Sequence, residues 1–171
     1  MQPGLAARLA RWARHQFPVA LTFLMLLIGL LPLPIAGYSM AGPALVLISV
    51  YYWSVLRPDL MPLYAVFLIG LLQDLLLGMP LGATALVLLL VQAVVIGQRR
   101  FILGRPFWIF WLGFALTAPV ALGVTWLLVM AVRGAYLPAD GAMFQLFAAL
   151  AAFPVIAWLL LRAQRGFLAA D

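Results

Sequence analysis

The 171-residue chain is 68% hydrophobic and 8% charged, and ten Arg against four Asp give it a formal net charge of +6. A soluble domain carries about 25% charged residues, so an ordinary water-solvated globule is excluded; the Arg residues sit between apolar runs, not on one polar face, which excludes nucleic-acid binding. Cysteine is absent, so disulfides, thiolate metal sites and a Cys nucleophile are excluded too.

Residues 1–16 read as a basic amphipathic cytoplasmic N-terminus. Leu5, Leu9 and Trp12 share one helical face, and Arg8, Arg11 and Arg14 spread over the other. Such a helix suits anionic lipid headgroups, and it serves equally as a plain topology signal. The first apolar segment, Phe17–Ile35, follows. Ser39-Met40-Ala41 has the small residues of a cleavage site, but the apolar stretch is longer than a signal-peptide core, so it reads as a retained span.

The second segment, Gly42–Leu56, would rise only roughly 22 Å as a helix. It either thins the bilayer or borrows residues from Tyr38–Ala41. Tyr51, Tyr52 and Trp53 near its end are expected in an inner aromatic belt with Trp108, Trp111 and Trp158. In the turn Arg57-Pro58-Asp59-Leu60-Met61-Pro62, Pro58 stops the helix. Asp59 is expected to cap the next helix. The turn is either a capped hairpin with one inside-positive charge or a contact point for a cytoplasmic partner.

The third segment, Leu60–Met79, holds the one acid well inside a span, Asp74, with Gln73 before it. A charge at mid-bilayer costs roughly 2.5–3.5 kcal/mol on insertion scales, so Asp74 needs partners or a protected face. Gly70 and Gly78 lie four residues to either side, and the stripe should be buried and admit another backbone closely. The chain then turns through Met79-Pro80-Leu81-Gly82 into the fourth segment, Leu81–Gly97. Thr84 is expected opposite Asp74 as a hydrogen-bond donor, with Arg133 a second candidate. Asp74 either glues helices together or shapes a cavity or partner interface.

Gln92, Thr117 and Trp126 are further intramembrane polar groups suited to interhelical packing or bonding. The fifth segment, Phe107–Val132, is roughly 39 Å long as a helix, and Pro119 supplies a kink site; Pro154 does the same in the sixth, Ala142–Leu161. Residues 162–171 form a short cytoplasmic tail, and the spans occupy 17–161. With the N-terminus inside, every Arg but Arg133 falls on the inner side. That asymmetry predicts an all-α integral membrane protein of six transmembrane helices, N-in and C-in.

Little here is equipped for catalysis. The single His, His15, precedes the first span, no His/Asp/Glu cluster has metal-ligand spacing, and no Gly-rich phosphate loop follows a strand. No catalytic residue, cofactor or metal is therefore expected.

Tyr52-Trp53, then Pro58, then Gly70-Leu71-x-x-Asp74-x-x-x-Gly78-x-x-Leu81-Gly82-x-x-Ala85-Leu86 resembles the signature of the rod shape-determining MreD family. The likeness is strongest over residues 51–86; Gln92-Ala93 stands where the family often carries an aromatic. The resemblance implies a multi-pass protein of the bacterial inner membrane that scaffolds or regulates peptidoglycan elongation. Implied partners are MreC, RodA, a penicillin-binding transpeptidase, the actin-like MreB and membrane lipids. The family also looks distantly like the six-helix substrate-binding subunits of energy-coupling-factor transporters, so the alternative is a subunit that captures a vitamin-type molecule. Only Gln73, Asp74, Thr84, Arg133, Tyr136 and Asp140 are available to line such a pocket, and the first span has no small residues spaced by four for a coupling partner. Both points favour the scaffold.

Overall fold

The computed structural model describes residues 5–31, 42–134 and 138–168, with side chains described over 16–31, 44–134 and 138–165. Ser39-Met40-Ala41, Tyr136 and the side chains of the N-terminal lead-in lie outside the described residues.

The described chain is helical: α1 Leu5–Gly29, α2 Gly42–Leu56, a 3-10 turn Pro58–Leu60, α3 Leu63–Leu76, α4 Ala83–Ile102, α5 Phe107–Arg133 and α6 Asp140–Leu168. Among the described residues, α4, α5 and the Asp140–Arg165 part of α6 are long and apolar enough to cross a membrane. At 1.5 Å per residue, α4 rises about 30 Å and α5 about 40 Å. The apolar parts of α1, α2 and α3 are shorter, at Gln16–Gly29, Ala44–Leu56 and Leu63–Leu77.

Helix α2 occupies the centre. It packs on α1, α4 and α6, while α3 packs on α4, α4 on α5 and α5 on α6. Val46, Ile48, Val50, Trp53 and Val55 have no exposed surface, and Tyr51 and Tyr52 have almost none. A helix that is apolar on every side belongs in an interior, and α2 has no polar stripe to turn outward. This corrects the expectation that Tyr51, Tyr52 and Trp53 form an aromatic belt. Trp108 and Trp158, by contrast, are exposed at 61% and 55%, as residues facing lipid would be.

Several boundaries differ from the sequence reading, each for a local reason. The lead-in and first apolar segment are one helix, α1, which runs through Pro18. Helix α3 begins at Leu63 and not Leu60, because Pro62 keeps the preceding Met61 out of the helical region, at φ −124° and ψ 76°, and itself sits at the N-cap. Helix α4 starts at Ala83 and runs to Ile102, which puts Arg99 and Arg100 in its last turn. Cations suit that end of the helix dipole. Helix α6 carries Arg162 and Arg165 on its continuation beyond Leu161.

Several polar side chains inside the bundle bond to other helices or to their own. The Thr22 and Ser49 hydroxyls meet at 2.8 Å and join α1 to α2. The Gln92 amide donates to the Met61 carbonyl at 2.6 Å, tying α4 to the turn between α2 and α3. Thr117 does not reach another helix; its hydroxyl donates to the Gly113 carbonyl in its own.

Candidate functional site

The third and fourth helices form a hairpin whose turn is organised by Asp74. Gly78, with φ +62°, ends α3 in a left-handed conformation. The Met79 N–H donates to the Asp74 carbonyl at 2.8 Å, and Leu77 N–H to the Gln73 carbonyl at 3.0 Å. Pro80 accepts from the Ala83 N–H at 3.1 Å, and Gly82, with φ +94°, opens α4. No side chain of α4 itself caps that end.

The missing cap comes from the preceding helix. Asp74 is fully buried, and its carboxylate accepts the Gly82 N–H at 2.9 Å and the Thr84 N–H at 3.1 and 3.2 Å. The first N–H groups of a helix have no intrahelical acceptor, and in lipid each unsatisfied group costs several kcal/mol. A carboxylate there supplies the acceptor and complements the positive end of the dipole. The burial of Asp74 therefore has a local cause: it caps α4 across the turn.

Thr84 donates to Asp74 as expected, but through its backbone N–H, and Arg133 is not a partner of the carboxylate. The Thr84 hydroxyl points to the Met79 sulfur at 3.8 Å, and only its N–H serves Asp74. Arg133 does reach this hairpin, but its guanidinium donates to the Gly78 carbonyl at 2.8 Å. That bond satisfies an orphan carbonyl at the end of α3 and ties the end of α5 to the same turn.

Gly70 and Gly78 behave differently. A Cβ on Gly70 would collide with the Ala85 backbone of α4, lying 2.9 Å from both its N and its Cβ. Gly70 is thus a point of close backbone approach between α3 and α4, and that face is turned toward α4. Gly78 is exposed, with open space around a Cβ. Its requirement is conformational; of the stripe expected to be buried in the bundle or against a partner's helix, Gly70 and Asp74 are buried within the bundle and Gly78 is not. Gln73 is buried, and its side-chain oxygen has no hydrogen-bond partner.

The turn between α2 and α3 also differs from the sequence reading. Pro58 does break the helix, since α2 ends at Leu56 and a 3-10 turn begins at Pro58. Asp59, however, caps nothing on α3. It is exposed and lies 3.9 Å from the Arg57 Nε, a separation at which a surface pair contributes at most about 1 kcal/mol. The later start of α3 is the reason, because Pro62 occupies the cap position.

At the same end, Tyr51, Phe110, Phe114 and Phe153 form an aromatic cluster joining α2, α5 and α6, with Phe114 and Phe153 stacked at 4.4 Å. The Tyr51 hydroxyl donates to the Phe110 carbonyl at 3.0 Å, and the Tyr52 hydroxyl to Gln164 at 3.1 Å. The sequence suggested neither pairing, since both need the interior position of α2. Among the described residues, no group of three His, Cys, Asp or Glu is placed to hold a metal ion.

No curated protein and no solved structure matches the chain. The family model described as rod shape-determining protein MreD does, over residues 13–161, which takes in α2 to α5, most of α1 and α6, and the hairpin built around Asp74. The chain belongs to the MreD family of rod shape-determining proteins.

Proposed function

We propose that the protein is a non-catalytic scaffold of the bacterial wall-elongation complex. It would span the inner membrane six times with both ends in the cytoplasm and act with MreC beside RodA, a transpeptidase and MreB. The observation that carries this reading is the use made of the one acid well inside a predicted span. Both oxygens of Asp74 accept hairpin N–H groups, so the residue works as architecture. Placement of the buried helix α2 among α1, α4 and α6 supports the six-span count, because a short apolar helix held by longer neighbours needs little contact with lipid. The hairpin also presents Leu75, Leu81 and Leu86 outward at 64%, 69% and 51% exposure. A partner's single apolar helix has a surface to pack on there.

A second reading, a substrate-binding subunit of a small-molecule transporter, rests on three buried polar atoms without a partner. They are Gln73 Oε1, Trp126 Nε1 and Gln145 Nε2. Against it, Asp74 and Arg133 already serve the hairpin, which leaves few groups for a ligand. Purification of the tagged protein from native membranes in mild detergent, with mass spectrometry of what accompanies it, separates the two. Recovery of MreC with RodA or its transpeptidase supports the scaffold. Recovery of an ATPase module with its coupling subunit overturns it.

A further inference from the structure

A cavity of about 480 Å³ opens at the end of the bundle where α2 and α4 stop, α5 starts and α6 passes. That volume lies within the roughly 300–1,000 Å³ of pockets that enclose small ligands. Its wall is apolar and aromatic, including Leu56, Ile102, Phe107, Ala157 and Trp158, and its charged member is Arg105.

The rim carries Arg105, which is exposed and lies just before α5. Two more Arg lie close by on α6: Arg162 sits over the ring of Trp158, a wall residue, at 5.3 Å, and Arg165 follows Gln164, which accepts the Tyr52 hydroxyl at 3.1 Å. Among the described acids, Asp59 faces Arg57, Asp74 is spent on the outer hairpin, and Asp140 starts α6 at its far end. The α5 N-terminus beside Arg105 has no side-chain cap and no acid in its first turn, so among the described residues no acid beside it offsets the positive charge.

We propose that this cavity holds an acyl chain of an anionic phospholipid, with the headgroup phosphate against Arg105. The wall matches a hydrocarbon chain, and the rim matches a phosphate at the depth where a phospholipid's headgroup begins. An acyl chain excludes water from the aromatic wall, and Arg suits a phosphate because its planar fork bonds two oxygens. This inference rests on the inner placement proposed for that end of the bundle. That placement is checked separately by labelling Arg105→Cys with an impermeant thiol reagent in intact cells and in inverted vesicles.

The test uses the full chain reconstituted in vesicles of equal phosphatidylglycerol and phosphatidylcholine, re-extracted in mild detergent and examined by native mass spectrometry. The native protein should retain phosphatidylglycerol over phosphatidylcholine by about fivefold, the factor one basic residue contributes near an anionic membrane surface. Arg105→Gln should bring the two lipids close to parity, and Ala157→Phe, which fills the cavity, should lose both. Added inorganic phosphate should displace neither. Equal retention of the two lipids by the native protein, or an unchanged preference in Arg105→Gln, would overturn the proposal. Displacement by inorganic phosphate would assign the site to a free anion and overturn it as well. Arg105 is exposed, so its variant stays informative even where Ala157→Phe does not fold.

Discussion

Replacing Asp74 tests how the hairpin is held. In Asp74→Ala the Gly82 and Thr84 N–H groups lose their acceptor. Hydrogen bonds to a charged group are worth about 1.5–3 kcal/mol each, which bounds the loss near 6 kcal/mol. Removing the carboxylate also removes the cost of keeping a charge out of water. The net destabilisation should therefore be about 2–3 kcal/mol. Asp74→Asn differs in an informative way. Oδ2 already lies 2.9 Å from the Gly82 N and 3.2 Å from the Thr84 N, so an amide oxygen in its place can accept from both, while the NH2 takes the place of Oδ1, 3.1 Å from the Thr84 N, where it cannot accept. Asn should therefore cost about 1–2 kcal/mol, less than Ala, for a neutral acceptor and one lost contact. Unfolding in detergent by SDS titration, followed by helical circular dichroism, measures all three proteins. Refutation would be an Ala variant within about 0.5 kcal/mol of native, a margin usual for surface substitutions. An Asn variant as unstable as Ala would show instead that charge, and not acceptor geometry, holds the turn.

The same titration checks the remaining predictions. Gly70→Ala should destabilise by about 1–3 kcal/mol through overpacking, because its Cβ meets the Ala85 backbone; no loss would mean that α3 and α4 separate freely. Gly97→Ala, within α4 and with open space around the new Cβ, should stabilise by about 0.5–1 kcal/mol, and a loss there would contradict the α4 packing described. Gly78→Ala should cost about 1–2 kcal/mol from its left-handed backbone, with no steric part since nothing lies within 4 Å of the new Cβ. Tyr51→Phe should cost about 1 kcal/mol for the bond to the Phe110 carbonyl; an unchanged midpoint would remove that bond from the account.

Apolar run length and the Pro and Gly positions made the number and order of helices legible. Their ends were less so. Leu60 looked like the start of a span because apolarity resumes there, yet Pro62 delays the helix to Leu63. Tyr51, Tyr52 and Trp53 looked interfacial from their place near a span end. Their burial follows from α2 lying at the centre of the bundle, a tertiary fact that no local pattern carries. Asp74 stood out as an acid among apolar residues, but its partners are N–H groups, which every residue has. Side-chain chemistry therefore pointed to Thr84 and Arg133, while the hairpin geometry chose the backbone of Gly82 and Thr84. Gly70 and Gly78 read alike in sequence and differ in structure, because one meets a neighbouring backbone and the other turns the chain.

The most direct test of the account is complementation in a rod-shaped bacterium depleted of its own MreD-family protein, with cell width and length measured by microscopy. The native chain and Gly97→Ala should restore rods. Asp74→Ala should leave cells rounded in proportion to its loss of folded protein, and Asp74→Asn should restore most of the shape. Rods restored as fully by Asp74→Ala, at a membrane level matched to the native chain, would contradict a role that depends on the capped hairpin. Failure of the native chain, present in the membrane together with the host's MreC, would contradict the scaffold itself.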